Sequence, residues 1–324
     1  MTMKPFALAV DLGGTKIETA LVGAEGDIVP GSRHRAATGR TARREDLADA
    51  VLTVVRQALV ATPADATLVG AGVGSAGPID LQRGHVSPKN LPALEGFDLR
   101  GAIAREMGGR PVELRLDGTC IALAEHWLGA AAGVANSMSM VVSTGVGGGL
   151  ILGGTLLSGR SGNAGHIGQI HVAGFGGDPA DADSTTLEAV ASGTSAVAWA
   201  RAHDWPGASG EDLAASCQAG DTTALHAVHR SAEAVGQAIA SATTLLDLEV
   251  VVIGGGFSSV VPDYVDLVRG AARQATVFPY ATAVQICPAA LGSTAPLLGA
   301  GALIHHPEML DPAPLPTDHL VSSR

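Results

Sequence analysis

Two glycine-rich turns carry the residue types and the spacing that phosphate chemistry needs. The first is Asp11–Leu12–Gly13–Gly14–Thr15, and the second is Ser143–Thr144–Gly145–Val146–Gly147–Gly148–Gly149. Backbone N–H groups in such turns can approach a phosphate closely, because glycine has no Cβ that would block the ligand. We predict that the two turns face one cleft and hold the phosphates of a nucleotide from opposite sides.

Polar side chains in these turns extend the same interpretation. Asp11 can act on a hydrated Mg²⁺, and the hydroxyls of Thr15 and Thr144 can donate to phosphate oxygens. A single Gly-Gly-Thr is more often an ordinary hairpin turn, but two turns in matching positions and a third, Gly254–Gly255–Gly256, favour a ligand site. Lys16 stands in the wrong register for a P-loop, and no G-x-G-x-x-G opens a helix after the first strand, which argues against a dinucleotide fold.

Apolar periodicity predicts the elements that position these turns. The predicted strands are 7–10, 17–22, a third starting at 27–29, then 68–73, 112–116, 138–143, 149–152, 155–157, 248–253 and 284–287. The predicted helices have an apolar face from Leu47 to Leu59, with Thr41 as the cap, and then cover 119–131, 186–204, 221–246 and 295–304. The order of strand, polar residue, glycine turn, strand and helices occurs twice. It predicts a duplicated α/β unit with a cleft between its halves.

Composition narrows the class of protein further. The 324 residues suit two packed lobes, and the net charge of −11 disfavours nucleic acid and anionic membranes as partners. Cys120, Cys217 and Cys287 lie far apart, which argues against a disulfide framework and favours a reducing cytoplasm. No apolar run reaches about 18 residues and Met1–Phe6 is too short for a signal peptide, so we expect a cytoplasmic protein without a membrane span.

Eight segments follow one another along the chain in a telling order: DLGGTKIETALV, GVGSAGPID, SPKNLP, LDGTCIALAE, STGVGGGLILGG, GNAGHIGQI, LEAVASG and VVIGGGFS. Over about residues 6–305 they resemble the ROK family, the sugar kinases and repressors of the actin-like ATPase superfamily. The resemblance implies an α/β fold of two actin-like (ribonuclease H-like) lobes with an inter-lobe cleft. It places a small lobe at 1–117, completed by the last helix at about 295–306, a large lobe at 118–294, and a loosely ordered Pro-rich tail at 307–324.

The resemblance also implies roles for single residues. It makes Asp117 the catalytic base, a role that suits a carboxylate at a strand end, although a helix cap is the alternative. The implied ATP-binding set is Asp11, Gly13, Gly14, Thr15, Lys16, Thr144, Gly145, Gly147, Gly254, Gly255, Gly256 and Phe257. The implied sugar-binding set is Gly77, Asn90, Leu116, Asp117, His166, Gln169 and Glu188. Glu188 could instead be an acidic residue that stabilises the first turn of a helix.

Three positions in the sugar-binding set depart from the family pattern. Leu116 stands where most relatives have Asn, His166 where many have Glu, and Gln169 where relatives have a zinc-ligating His. An altered pocket leaves a different set of sugar hydroxyls paired, and such mismatches cost roughly 1–3 kcal/mol. Our hypothesis is that plain glucose is not the best substrate, and that an N-acylhexosamine or a cyclitol suits the pocket better.

The metal-binding segment of the family is also changed. No cysteine occurs between Cys120 and Cys217, so we predict no structural zinc and no ligand role for His171. The loop 174–184 carries three aspartates instead, namely Asp178, Asp181 and Asp183. A hard cation could bind there, but we predict a solvated acidic loop.

The function that the resemblance implies is an ATP-dependent kinase that phosphorylates a hydroxyl, expected to be primary, of a hexose or sugar-like substrate with ATP and Mg²⁺. The alternatives are a cyclitol kinase, a polyphosphate-dependent kinase, a non-catalytic sugar-sensing regulator, and a repressor. A repressor of this family carries an N-terminal helix-turn-helix domain, which is not expected here because the sequence opens on the first strand. A homodimer is expected, as is common in the family.

Overall fold

The computed structural model describes residues 3–177 and 181–311. Its strands are β1 (Lys4–Leu12), β2 (Lys16–Gly23), β3 (His34–Ala37), β4 (Ala66–Ser75), β5 (Ile79–Asp80), β6 (His85–Val86), β7 (Phe97–Asp98), β8 (Val112–Leu116), β9 (Ser137–Val142), β10 (Val146–Leu152), β11 (Thr155–Leu156), β12 (Val250–Gly254) and β13 (Gln285–Pro288). Its helices are α1 (Arg44–Val60), α2 (Leu99–Glu106), α3 (Asp117–Leu128), α4 (Leu187–Ala191), α5 (Gly193–Ala202), α6 (Gly210–Gln218), α7 (Thr222–Leu246), α8 (Tyr264–Ala275), α9 (Pro279–Thr282) and α10 (Ala295–His305).

The strands build two five-stranded sheets with the same topology. The first has the order β3-β2-β1-β4-β8 and the second β11-β10-β9-β12-β13, while β5, β6 and β7 form a small separate sheet. In each large sheet the first three strands along the chain pair in antiparallel fashion, and the last two are joined in parallel. The predicted duplication is therefore present, and the two glycine turns occupy equivalent places, as the β1–β2 and β9–β10 connections.

Apolar side chains at helical spacing bury α1 against the first sheet as predicted. Leu47, Val51, Val54, Val55 and Ala58 are all buried there, beneath the apolar face of β1 and β2. Long helix α7 and its neighbours cover the second sheet in the same way. Burial of apolar area of this kind stabilises each sheet at about 25 cal/mol per Å².

Three local predictions were wrong. Ile28 makes only an isolated bridge to Val22, and the third strand is β3, whose burial alternates as expected of a strand at the sheet edge. The residue that precedes α1 is Arg43, with no side-chain cap, so Thr41 does not cap this helix. The predicted helix 186–204 is interrupted at Ser192, whose extended backbone separates α4 from α5 and whose side chain caps α5.

Helices α3 and α10 pack against each other between the two sheets. Their shared core includes Ala9 and Val22 of the first sheet and Ile151 and Leu156 of the second. The contact is close because Gly299 has no side chain: a Cβ there would lie 1.7 Å from the carbonyl oxygen of Cys120. This packing fixes the direction of α3, and hence the position of its first residue, Asp117.

The C-terminal segment is tied to the second sheet as far as residue 311. Leu310 bridges Leu156, and the Asp311 carboxylate accepts from the Ser158 backbone N–H at 2.9 Å and from its hydroxyl at 2.7 Å. The rest of the predicted Pro-rich tail lies outside the described residues. The lobe boundaries at residues 117 and 294 remain a prediction. Within the described residues, none of the helices combines the length and apolarity needed to traverse a lipid bilayer.

Candidate active site

A cavity of about 710 Å³ lies where the two glycine turns, the start of α3 and the small sheet meet. Its volume is in the range of pockets that hold small ligands. It is lined by Gly14, Thr15, Thr38, Gly39, Arg40, Ala76, Gly77, Pro78, Lys89, Asn90, Leu116, Asp117, Gly118, Ile121, Val141, Ser143, Thr144, Gly145, Val146, Gly147, Gly148, His166, Gln169 and Glu188.

A second cavity, of about 480 Å³, adjoins the first through shared lining residues Ser143 and Thr144. It lies between α5, the start of α6 and the turn after β12. Its other lining residues are Gly193, Thr194, Val197, Ala208, Ser209, Gly210, Glu211, Ala214, Gly256, Phe257, Ser259 and Val260. The two cavities together can hold one elongated ligand next to a compact one.

The structure gathers every residue of the predicted sugar-binding set around the first cavity. Of the predicted ATP-binding residues, five line this cavity, namely Gly14, Thr15, Thr144, Gly145 and Gly147. Gly256, Phe257 and again Thr144 line the second cavity. Asp11, Gly13, Lys16, Gly254 and Gly255 line neither of the two.

Asp117 is the first residue of α3 and one Oδ1 atom accepts from the Gly118 N–H at 2.7 Å. Burial raises the pKa of its carboxyl, and Glu188 adds to this, while the Gly118 hydrogen bond and His166 act in the opposite direction. The first turn of α3 rests on the second glycine turn, because a Cβ at Gly118 would lie 2.5 Å from the carbonyl oxygen of Gly148. Asp117 is thus held between the two turns, with a carboxyl whose pKa burial keeps above the ordinary value of an aspartate.

Asp11 lies at the end of β1, buried beneath the first glycine turn. Burial, and after it the negative charge of Asp117, raise the pKa of its carboxyl to about 7 against the opposing charge of Lys16. The buried carboxylates of Asp11 and Asp117 repel each other electrostatically. Their oxygen atoms are ligands that suit a hard divalent cation. The donor set therefore fits Mg²⁺.

The first glycine turn is held by one residue, Thr38, which follows β3. The Thr38 hydroxyl donates to the carbonyl oxygen of Gly13 at 2.9 Å, and the Thr38 backbone N–H donates to that of Thr15 at 3.0 Å. Gly13 N–H closes the turn on the carbonyl oxygen of Lys16 at 2.9 Å. Among the residues that the structure describes, no acceptor receives the N–H groups of Gly14 and Thr15.

The second glycine turn is held from the corner between α4 and α5. Gly193 N–H donates to the carbonyl oxygen of Ser143 at 2.7 Å, and the Thr194 hydroxyl donates to that of Thr144 at 2.9 Å. The third carbonyl, of Gly145, accepts from Ser143 N–H at 2.9 Å. The N–H groups of Thr144 and Gly145 find no acceptor within residues 3–177 and 181–311.

Glu188 connects this second turn to the remainder of the first cavity. Its Oε2 accepts from Val146 N–H at 2.9 Å, and its Oε1 lies 3.5 Å from the Gln169 amide nitrogen. Leu116 faces Gly77 in the same cavity: a Cβ at Gly77 would lie 2.5 Å from Leu116 Cδ2 and 3.5 Å from His166 Cε1. The part of the cavity near Asp117 is therefore part apolar and part polar.

Lys16 lies outside the cavity and its ammonium pairs with Glu18. The buried Glu18 carboxylate also receives Arg33 and Arg35, both at 3.0 Å. These three cations hold the pKa of Glu18 at about 2 against the opposing effect of its burial. Whatever attraction Lys16 has for a phosphate acts through the charge of this cluster, since its side chain is engaged.

Four polar or charged side chains of the cavities stand out among the lining residues that were not singled out from the sequence. Thr38 and Arg40 line the first cavity, and Thr194 and Glu211 line the second. None belongs to a recognisable motif, because each comes from a segment remote in sequence from the turn that it approaches. A Thr-Gly-Arg run and a Gly-Thr pair offer no local signal of this placement.

In the described part of the chain, nowhere do three or more His, Cys, Asp or Glu side chains gather as a metal-binding group. This includes the described residues of the segment 165–188, where the sequence lacks the zinc ligands. Nδ1 of His171 lies 2.7 Å from the Thr185 hydroxyl, and Asp183 pairs with Lys89 at 2.9 Å. Asp178 lies outside the described residues. The structure thus gives Asp183 a partner, Lys89, which lines the first cavity.

Comparison with known proteins identifies the class. A family model, the ROK family, matches residues 7–307, so the chain belongs to the ROK family. An N-acetylmannosamine kinase of Shigella boydii is 33% identical over 91% of this chain and 97% of its own length, and a glucokinase of Halalkalibacterium halodurans is 29% identical over 93% and 95%.

A crystal structure of a ROK family glucokinase from Streptomyces griseus in complex with glucose and AMPPNP is 28% identical. It superposes with a TM-score of 0.77 over 92% of this chain and 99% of that one. The predicted fold class of two actin-like lobes is confirmed. The prediction of an ATP-dependent carbohydrate kinase is confirmed at the level of enzyme class.

Proposed function

We propose that this enzyme transfers the terminal phosphoryl group of ATP to a hydroxyl, expected to be primary, of a hexose or an N-acylhexosamine, with Asp117 as the general base. The observation that carries the proposal is the position of Asp117 between two glycine turns, each of which presents two backbone N–H groups without an acceptor among the described residues. Phosphoryl transfer is catalysed mainly by positioning and by electrostatic stabilisation, and this arrangement offers both.

Asp117 accepts the proton of the attacking sugar hydroxyl in this proposal. Burial raises the pKa of this carboxyl, which makes its carboxylate a stronger base toward the hydroxyl proton. The Gly118 hydrogen bond at 2.7 Å keeps the carboxylate oriented into the cavity. The unpaired N–H groups of both turns stabilise the negative charge that spreads over the phosphoryl oxygens.

Asp11 and Asp117 are the residues that would hold Mg²⁺, directly or through water. Such an ion neutralises phosphate charge and orients the terminal phosphoryl group. Its charge would also favour the ionised forms of both carboxyls, opposing the effect of burial on their pKa values.

The nucleoside part of ATP is assigned to the second cavity, because that cavity joins the first at Ser143 and Thr144. Phe257 offers an apolar surface there, and Gly256 allows a ligand to approach the backbone. Glu211 is a charged side chain of this cavity, and its carboxylate suits the two ribose hydroxyls as an acceptor. ATP is preferred to polyphosphate as the donor in this proposal because a second, nucleoside-sized cavity adjoins the phosphate turns.

The sugar part of the first cavity favours a modified hexose over glucose. Leu116 and Gly77 supply an apolar wall beside Asp117 and His166, where an amide side chain would have paired with a hydroxyl. The methyl of an N-acyl group is complementary to such a wall. A cyclitol, whose ring lacks the ring oxygen, is the other candidate that this wall accommodates.

The test is ADP release from Mg-ATP across glucose, mannose, N-acetylmannosamine, N-acetylglucosamine and several cyclitols. We expect one N-acylhexosamine to exceed glucose by at least about tenfold in kcat/KM, equivalent to about 1.4 kcal/mol. Reactions without sugar serve as one control. The same Asp→Asn change at the exposed Asp65 serves as the matched control for Asp117→Asn. Glucose as the best substrate would overturn the substrate assignment, and no ADP release with any sugar would contradict the kinase itself and favour a sensor.

Magnesium dependence, a homodimer and a cytoplasmic location complete the proposal. They derive from the family resemblance and the composition. Chelation with EDTA checks the first, and the mass of the native protein in solution checks the second.

A further inference from the structure

We propose that Thr38 and Thr194 are positioning residues that preorganise the two phosphate-binding turns by tying their carbonyl oxygens away from the ligand. The inference rests on the proposed function, since it explains how the turns of a kinase are kept ready for ATP. Neither threonine belongs to the glycine motifs, and each acts through the backbone of another segment.

The electrostatics of a turn explain why the carbonyls must be held. A glycine turn can present either its N–H groups or its carbonyl oxygens to a ligand, and a carbonyl oxygen repels a phosphate. In the second turn the carbonyls of residues 143, 144 and 145 are all engaged, while the N–H groups of Thr144 and Gly145 are not. In the first turn Thr38 engages the carbonyls of Gly13 and Thr15, and the N–H groups of Gly14 and Thr15 stay unpaired.

The same device is built twice from unrelated parts of the chain. The turns are equivalent in the duplicated topology, since they connect β1 to β2 and β9 to β10. Their supports are not equivalent, because Thr38 follows an edge strand whereas Gly193 and Thr194 are the first two residues of α5 in the second half. Each support nevertheless supplies one hydroxyl and one backbone N–H to two carbonyls. The bond pattern is therefore not a by-product of the duplication, and it points to a requirement of the turns themselves.

The backbone donor of the second turn depends on glycine at position 193. A Cβ there would lie 3.1 Å from the carbonyl oxygen of Ser143 and 2.9 Å from Phe257 Cδ2. The Gly193–Thr194 pair thus packs against the second cavity while it holds the turn of the first. This places the support of the phosphate turn beside the site proposed for the nucleoside.

The test measures affinity for Mg-AMPPNP and for adenosine by calorimetry in wild type, Thr38→Val, Thr194→Val and the corresponding Ser variants. Valine keeps the shape and removes the hydroxyl, whereas serine restores it. We expect each Val variant to bind AMPPNP roughly tenfold more weakly, equivalent to about 1.4 kcal/mol, with Ser variants close to wild type. Adenosine affinity should be unchanged in Thr38→Val, because Thr38 does not line the second cavity. Thr62→Val is the matched control, because its hydroxyl donates to the Leu59 carbonyl at 2.7 Å in the same way but away from both cavities.

Hydrogen exchange of the free protein separates positioning from direct contact with the ligand. We expect peptides over residues 12–16 and 141–147 to exchange faster in the Val variants, since the turns lose their supports. Unchanged AMPPNP affinity or unchanged exchange in both Val variants would overturn the inference, as would an equal loss of AMPPNP and adenosine binding in Thr38→Val. Failure of wild type itself to bind AMPPNP would instead count against the proposed function.

Discussion

The two glycine turns occupy equivalent places in equivalent sheets, yet they are embedded in opposite surroundings. The β1–β2 turn lies next to Asp11 and the Lys16–Glu18–Arg33–Arg35 cluster, and a single neighbouring threonine supports it. The β9–β10 turn contains no charged residue, and three residues from the α4–α5 corner support it. One of these three, Glu188, also lines the sugar part of the first cavity.

This difference suggests a division of labour between the duplicated halves. The first turn brings charge to the phosphates, and a change there should alter nucleotide and metal handling without touching the sugar. The second turn brings connections, because its supports line both cavities. A change there should therefore be felt by both substrates.

The largest expected difference between changes at the two turns comes from Asp11→Asn, next to the first turn. The variant loses one of the two carboxylates proposed to hold Mg²⁺, so we expect kcat to fall roughly 10²–10³-fold, the scale of several kcal/mol of lost charge stabilisation. Sugar affinity should be unchanged, because Asp11 does not line the cavity. Steady-state kinetics at varied Mg²⁺ checks this fall in kcat. Wild-type activity in the variant would contradict a role for Asp11 in holding Mg²⁺.

Without bound ligands, the same variant should be more stable than wild type, and this advantage should depend on pH. Burial raises the folded pKa of Asp11 from 3.8 to about 7, so the folded state binds the proton more tightly than the unfolded state. Wild-type stability therefore falls as the pH rises from about 4 to about 7, by up to roughly 4 kcal/mol, and Asn removes this loss. Melting curves in EDTA should show a larger advantage of the variant at pH 8 than at pH 5, and parallel pH profiles would contradict it.

Gly14→Val is the next largest change and tests the first turn alone. A Cβ at Gly14 would lie 3.0 Å from Asn90 Cβ, and the branched side chain would fill the space beside the unpaired N–H groups. The added side chain blocks the approach of a phosphate to these N–H groups, so AMPPNP affinity should fall roughly 10–100-fold, equivalent to about 1.4–2.8 kcal/mol. Calorimetry measures it, with Gly270→Val as the control, since a Cβ at that helical position meets nothing within 4 Å. Equal affinity in both variants would show that phosphates do not reach this turn.

Glu188→Gln carries the smallest expected effect and the sharpest test of the division of labour. The variant keeps an acceptor for Val146 N–H but loses its charge, which costs about 1.5 kcal/mol for a charged hydrogen bond, or roughly tenfold. We expect KM to rise for the sugar and for ATP together. A rise in KM for the sugar alone would mean that the second turn is not coupled to the sugar pocket. It would contradict the proposal that a change at the second turn affects both substrates.

The sequence predicted the parts of the site that are local and missed the parts that are assembled. Both glycine turns, Asp117 at a strand end and the strands around them are visible because each is a short continuous pattern. The supports Thr38 and Thr194 are not, since they reach the turns only after the chain has folded back over 25 and 50 residues. The edge strand β3 was misplaced because its four residues, His34–Ala37, lack the apolar alternation of a half-buried strand.

The break at Ser192 had a local signal that the apolar pattern outweighed. Ser192 is followed by Gly193, a pair that favours the end of one helix and the cap of the next. The interruption turns α5 so that Gly193 N–H and the Thr194 hydroxyl meet the second glycine turn. A residue run that looks like one long helix is thus divided where the site needs a corner.

The proposed role of Asp117 as the general base is tested most directly by comparing sugar binding with turnover in Asp117→Asn, using the best sugar from the panel. We predict that the variant binds the sugar with an affinity within a few-fold of wild type, while kcat falls roughly 10²–10⁴-fold, the range of a lost general base. Turnover at the wild-type rate would show that another group accepts the hydroxyl proton. Loss of sugar binding in step with kcat would show that Asp117 holds the substrate and leaves the chemistry to another residue.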